Sequence, residues 1–287
     1  MIQIDSLNEA YADKKKHLQK LIPEDKTAKK IKKTKQEKKA IKAKEKAVLP
    51  TRFVLSFDGD MKASQVSQLR DEISMVLSLA TPKDEVVVRV ESPGGEVSGY
   101  GLAASQLARL RDKNIPLTIC IDKVAASGGY LMACVANQII AAPFAVIGSI
   151  GVVAQLPNFH RFLKKNNIDV ELLTAGKYKR TLTMLGENTK AGREKFKDDL
   201  DAIHTVFRDH VFMYRDKLDI EQVSTGEHWL AKDAVNLGLV DSLKTSDDYL
   251  YDAIDEFNTL VLSTPVKQSF MSKLTKPVSA LFLRPLF

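Results

Sequence analysis

The chain has 287 residues, 44% of them apolar and 28% charged, with a net charge of +7 and two cysteines. That is enough apolar material for one large core or two modest ones, and it excludes collagen-like and disulfide-scaffold chains. No run of eighteen apolar residues occurs and Met1–Asp5 lacks a signal-peptide pattern, so neither a membrane span nor a secretion signal is expected in the chain as written.

The positive charge sits at the start. Residues 1–50 hold fifteen lysines and no arginine against seven acidic residues, a surplus of eight that leaves residues 51–287 at −1. From Ala28 to Ala47 only Lys, Ala, Glu, Ile, Gln and Thr occur. Such a tract cannot bury enough to fold alone, so residues 1–50 are expected to form a flexible or transiently helical tether. No aromatic residue accompanies these lysines, which argues against nucleic acid as a partner. Anionic lipid headgroups are the alternative partner.

Pro50 closes the tract. Arg52–Phe57 reads as a strand stopped by Asp58-Gly59, and Val66, Leu69, Ile73, Val76, Leu77 and Ala80 recur at helical spacing. Val86–Val90 is a β-branched run typical of a strand buried on both faces, and it runs into Ser92-Pro93-Gly94-Gly95. Tyr100, Ala103, Leu107 and Leu110 mark the next helix. Pro116–Ile121 is a further buried strand, followed by Val124-Ala125-Ala126-Ser127-Gly128-Gly129-Tyr130. Gln138–Ala141, Ile150–Val153 and Asp169–Leu173 are expected as short strands. Phe196, Leu200, Ile203, Phe207, Val211 and Tyr214 trace one face of a long amphipathic helix over Lys190–Lys217. His228–Val235 is expected to be helical and ended by Gly238. Residues 264–287 form an apolar tail suited to docking on the body or on a neighbouring subunit. Cys120 and Cys134 lie in apolar runs and read as small buried hydrophobes. Strand, turn and helix in repetition imply an α/β fold with a parallel sheet, whose sites gather at the carboxyl ends of strands.

Both glycine-rich turns lie at such ends. Ser127 stands between small residues and two glycines, so its hydroxyl is accessible, and a helix starting at Gly128 would aim free backbone N–H groups at it. A serine hydroxyl needs a base at neutral pH. His17, His160, His204, His210 and His228 all lie in contexts typical of surface or capping residues. Lysine is the alternative, because burial disfavours its ammonium form. Lys177 and Lys179 both follow an expected strand and the turn Thr174-Ala175-Gly176, and composition does not choose between them. Gly94, Gly95 and Gly128 suit the role of backbone donors to an oxyanion.

The ordered segments Glu91–Gly95, Asp122–Tyr130, Ile147–Val152 and Ala175–Thr183 resemble those of the S49 peptidases, the signal peptide peptidase A-like enzymes, and within them the SohB-type inner-membrane branch. The resemblance runs from about Phe53 to Asp241. It implies a ClpP/crotonase-like spiral of ββα units in one catalytic domain over residues 51–263. It also implies Ser127 as nucleophile, Lys179 as general base, Ser149 as the residue positioning the lysine, and Gly95 as an oxyanion donor. No cofactor and no metal are implied. The implied partners are peptide or protein substrates, signal peptides or unfolded membrane-protein segments, together with further copies of the chain in a homo-oligomer. Association with the inner membrane is expected on either its periplasmic or cytoplasmic face, although no transmembrane helix of the SohB type precedes the lysine-rich tract here. Rival readings are a crotonase-like acyl-CoA enzyme on the same fold, a Ser/His/Asp peptidase, and a membrane-surface scaffold.

Overall fold

The computed structural model describes residues 2–22 and 49–264. The tract Ala28–Ala47 and the tail from residue 265 onward lie outside the described residues. Strands β2 (Thr51–Asp58), β3 (Glu85–Glu91), β4 (Leu117–Ile121) and β6 (Gln138–Ala141) pair in parallel in that order. Strand β9 (Ser242–Leu243) adds beyond β6, and β10 (Asn258–Ser263) lies parallel to β2 on the other side. Alternate side chains enter two cores. Leu55, Val88 and Ile119 face one, against helices α2 (Val66–Leu77), α3 (Val97–Asp112) and α4 (Gly128–Ala133). Val54, Val87, Cys120 and Ile140 face the other, against Leu250 of α9 (Ser246–Asp252). A parallel sheet covered on both faces explains why these strands read as unbroken apolar runs rather than alternating ones.

A second sheet of β5 (Val124–Ala126), β7 (Val146–Gly148) and β8 (His228–Leu230) builds the site. The chain leaving β4 enters β5, the chain leaving β6 enters β7, and the chain leaving β3 touches the same sheet through a parallel bridge of Ser92 to Ala125. The crossovers through Ser92 and β5 then return by helices, α3 and α4. This is the ββα spiral that the resemblance implies.

The structure corrects four expectations. Gln3–Ser6, read as tether, forms β1, antiparallel to β10, and is followed by helix α1 (Leu7–Leu21), because β10 offers an open edge and the Asn8 amide holds the carbonyls of Ile254 and Phe257. Ile150–Val153 is not a strand: the chain turns at Gly148 and Ser149, both at positive φ, and the strand is Val146–Gly148. Asp169–Leu173 is not a strand either, since Val170, Leu172 and Leu173 stand exposed with no neighbouring strand to pair with. His228–Leu230 extends as β8 against β7 and only Ala231–Ala234 is helical, as α8, because Gly148 leaves room for the Trp229 ring. Gly238 does take the positive φ expected of a helix-ending glycine.

Candidate active site

Ser127 follows β5 directly and caps α4 with φ 50° and ψ −118°, a conformation rare for a residue with a side chain. It is held there by its N–H donating to the Gly148 carbonyl at 2.8 Å and by its carbonyl accepting from Leu131 N–H at 2.9 Å. Ser149 stands at the same level on the adjacent strand, one residue beyond the paired Ala126 and Gly148, and it too has a positive φ, 53°. Its N–H donates to the Glu227 carbonyl. Two serines at the ends of neighbouring parallel strands, both in left-handed conformations, therefore share one rim.

Gly94 presses against that rim from β3. A side chain there would bring its Cβ within 2.7 Å of both the Ser127 Cβ and the Gly128 nitrogen, and Gly94 itself has φ +92°. Only glycine allows the turn to approach so closely. A Cβ at Gly95 would lie 2.1 Å from the Met61 carbonyl oxygen. Among the described residues neither the Gly95 nor the Gly128 N–H has a protein acceptor, which leaves both free to donate to a developing oxyanion. Gly94, read from the sequence as a possible oxyanion donor, instead gives its N–H to Ser92 Oγ at 3.1 Å and serves the site by its close approach to Ser127.

Ser127, Ser149, Gly95 and Gly128 all line one cavity of about 1510 Å³ between the second sheet and α6 (Lys190–Tyr214). Its walls are mainly apolar, with Met61, Val97, Leu131, Val152, Leu200 and Phe207 among them. The histidines were expected away from Ser127, yet His204 and His210 line this cavity from α6. The His210 Nε2 is bonded to the Leu131 carbonyl at 3.2 Å, its ring packs edge-on at 5.1 Å from Tyr214, and burial holds its pKa below the usual histidine range. The His204 Nε2 is buried with no partner among the described residues. Their contexts concealed this because α6 reaches the site through tertiary packing rather than through a strand end.

Lys179 is not brought to this cavity. It is exposed on a projection spanning residues 160–182, which begins with helix α5 (His160–Lys165). The projection is closed at its base by Phe159 N–H on the Met184 carbonyl at 2.7 Å and the Asn158 amide on the Thr183 carbonyl at 2.8 Å. The strand-end reasoning for Lys179 fails with the missing strand. Lys177 lies 5.0 Å from the centre of the Tyr178 ring, and the neighbouring phenol pushes its pKa up, which favours the ammonium form that a base must lose.

Residues 109–259 match the family described as Peptidase family S49, and residues 1–107 match its N-terminal region, Peptidase family S49 N-terminal. A "Probable protease SohB" of Haemophilus influenzae is 53% identical over 221 residues, 77% of this chain and 63% of that protein. A protein of the same description from Buchnera aphidicola subsp. Schlechtendalia chinensis is 59% identical over 201 residues, 70% of this chain and 66% of its own length. The chain thus spans just under two thirds of these two relatives. Among solved structures, a membrane-bound stomatin-specific protease, a lysine-to-alanine mutant in complex with a substrate peptide, superposes with a TM-score of 0.48 at 13% identity, covering 80% of this chain and 99% of that one.

Proposed function

The chain belongs to peptidase family S49, and from that premise we propose that it is a serine endopeptidase in which Ser127 is the nucleophile and Lys179 the general base. The observation that carries the nucleophile is the strained Ser127 on the rim of a large apolar cavity, beside two unengaged glycine amides. Neutral Lys179 takes the proton of Ser127 Oγ as it attacks the peptide carbonyl, the Gly95 and Gly128 amides receive the oxyanion, and the lysine returns the proton to the leaving amine. Water then hydrolyses the acyl-enzyme. Ser149, on the adjacent strand end, holds the lysine amine. The apolar walls suit signal peptides and unfolded membrane-protein segments.

Lys179 rides on a projection whose apolar side chains are left in water, Phe162 at 66% and Leu173 at 89% exposure among them. A patch of this kind is completed by a partner surface. In the proposed homo-oligomer the partner is a second copy, whose cavity receives Lys179. The exposed Leu18, Leu21 and Ile22 at the end of α1 lead into the lysine-rich tract and support attraction to an anionic membrane surface.

The test is kinetic. Ser127→Ala and Lys179→Ala each abolish cleavage of an unfolded substrate while leaving the fold intact, and a fluorophosphonate labels Ser127 in the native chain. Labelling also separates this reading from a crotonase-like hydratase, whose site has no reason to react. The orphaned His204 Nε2 favours one second reading, a Ser/His pair. In that case His204→Ala is inactive and Lys179→Ala retains full activity.

A further inference from the structure

Under the Ser92–Gly95 turn runs a chain of hydrogen bonds that peptide-bond chemistry does not itself require. The Gly94 N–H donates to Ser92 Oγ at 3.1 Å, Ser92 Oγ lies 2.5 Å from the Tyr100 hydroxyl, and that hydroxyl donates to the Asp60 carbonyl at 2.8 Å. Since the Tyr100 proton is committed to Asp60, the Ser92 proton points to the Tyr100 oxygen, and all three bonds run in one direction. Each bond then polarises the next. Ser92 and Tyr100 are both fully buried, and burial pushes the Tyr100 phenol up, which keeps its proton in place.

The surroundings are fitted to these two hydroxyls. A Cβ at Gly59 would lie 2.4 Å from Ser92 Oγ and 2.5 Å from the Tyr100 hydroxyl oxygen. A Cβ at Gly128 would lie 2.4 Å from the Tyr100 ring, so the residue after Ser127 rests directly on that ring. The far side of the turn is fixed separately, by Glu96 N–H on the Met61 carbonyl at 2.8 Å. Tyr100 thus touches both halves of the oxyanion site: its hydroxyl reaches the Gly94–Gly95 turn through Ser92, and its ring carries Gly128.

We propose that Ser92 and Tyr100 form a buried hydroxyl relay that positions the Gly94–Gly95 turn, so that the Gly95 amide meets the oxygen of the tetrahedral intermediate rather than that of the bound substrate. Both are positioning residues, and the inference rests on the Ser127 peptidase reading. Catalysis gains only from contacts stronger in the transition state than in the ground state. Loss of the relay therefore costs turnover more than binding.

The experiment uses the full chain, an internally quenched apolar peptide, and two inhibitors of matching sequence, one ending in an aldehyde and the other in the corresponding alcohol. Ser127 Oγ adds to the aldehyde carbon to form a hemiacetal whose oxygen enters the oxyanion site, with the hydroxyl proton passing to the base. The alcohol fills the same side-chain contacts without an oxyanion. Tyr100→Phe keeps the ring under Gly128 and removes only the hydroxyl. It is expected to lower kcat and aldehyde affinity together by about ten- to a hundredfold, with KM and alcohol affinity within about twofold of wild type. Ser92→Ala gives the same pattern, and the double variant loses no more than the larger single loss. Equal weakening of aldehyde and alcohol, or unchanged kcat in folded variants, overturns the inference alone. A wild type that neither cleaves the peptide nor distinguishes aldehyde from alcohol overturns the peptidase reading and the inference with it.

Discussion

At Gly94 the backbone takes φ +92° with the Ser127 Cβ in the path of any side chain. Gly94→Ala therefore has to move either the turn or Ser127. The strained φ alone costs about 1–3 kcal/mol, and the expected result is a lowered Tm together with at least a tenfold loss of kcat/KM. A tolerated alanine, with wild-type turnover and melting, would show that the turn has room that the geometry denies it. Ser127 and Ser149 are the mirror case, because both keep side chains in conformations that glycine would adopt at no cost. Serine persists at these positions against backbone preference, which is the pattern expected where side-chain chemistry outweighs strain. The sequence exposed Ser127 through its small neighbours, and Gly95 and Gly128 through their turns. It could not reveal the collision between Gly94 and Ser127, which joins residues more than thirty positions apart.

At the level of elements, α2 carries an acid into the core. Glu72 is fully buried, its carboxylate accepting from Gln68 at 2.9 Å and Thr264 at 3.2 Å. Desolvation raises its pKa, with these two bonds opposing. The folded state then binds a proton more tightly than the unfolded state does, so Glu72 lowers stability as pH rises from about 4.5, the ordinary glutamate value, through its raised folded pKa. Chemical denaturation across that window should give a falling stability for wild type and a flatter one for Glu72→Gln; identical slopes would remove Glu72 from the account. Element by element, the central strands were legible because burial on both faces leaves an unbroken β-branched run at Val86–Val90, and α6 because its apolar face repeats every turn. Val170–Leu173 looked equally strand-like, yet no partner strand lies beside it and its side chains stand in water. His228–Leu230 failed for the opposite reason: a helical pattern was overridden by the free edge of β7. Gln3–Ser6 carried no signal of its own, since its pairing depends on β10 at the other end of the described chain.

Across the whole molecule, Lys179 and Ser127 occupy separate regions, one on the projection and one in the cavity. If a second copy supplies the lysine, Ser127→Ala and Lys179→Ala subunits are each inactive alone and regain activity when co-assembled, because mixed pairs contain one intact serine facing one intact lysine. Absence of recovery in verified mixed oligomers would place both groups in one subunit. Leu173→Asp on the projection should dissociate the assembly in sedimentation and remove activity with it. Attraction to membrane predicts salt-sensitive co-sedimentation with vesicles containing anionic lipid. Replacing the lysines of residues 28–47 by glutamine should abolish that binding. Deleting residues 1–50 would be a poor version of this test, since it also removes β1 from the sheet edge.

That edge has a mechanical consequence. Gln3 lies opposite Ser263 and Ser6 opposite Leu260, so the two chains leave the sheet at the same corner, running in opposite directions. A force drawing residues 2 and 264 apart loads the β1–β10 bonds one after another, as a zipper opens. The next seam, β10 against β2, is parallel, and the same pull loads its bonds along the strand direction together. Stretching the molecule by its ends should therefore release β1 at low force, in a small early step, before the remaining sheet gives way in a larger one.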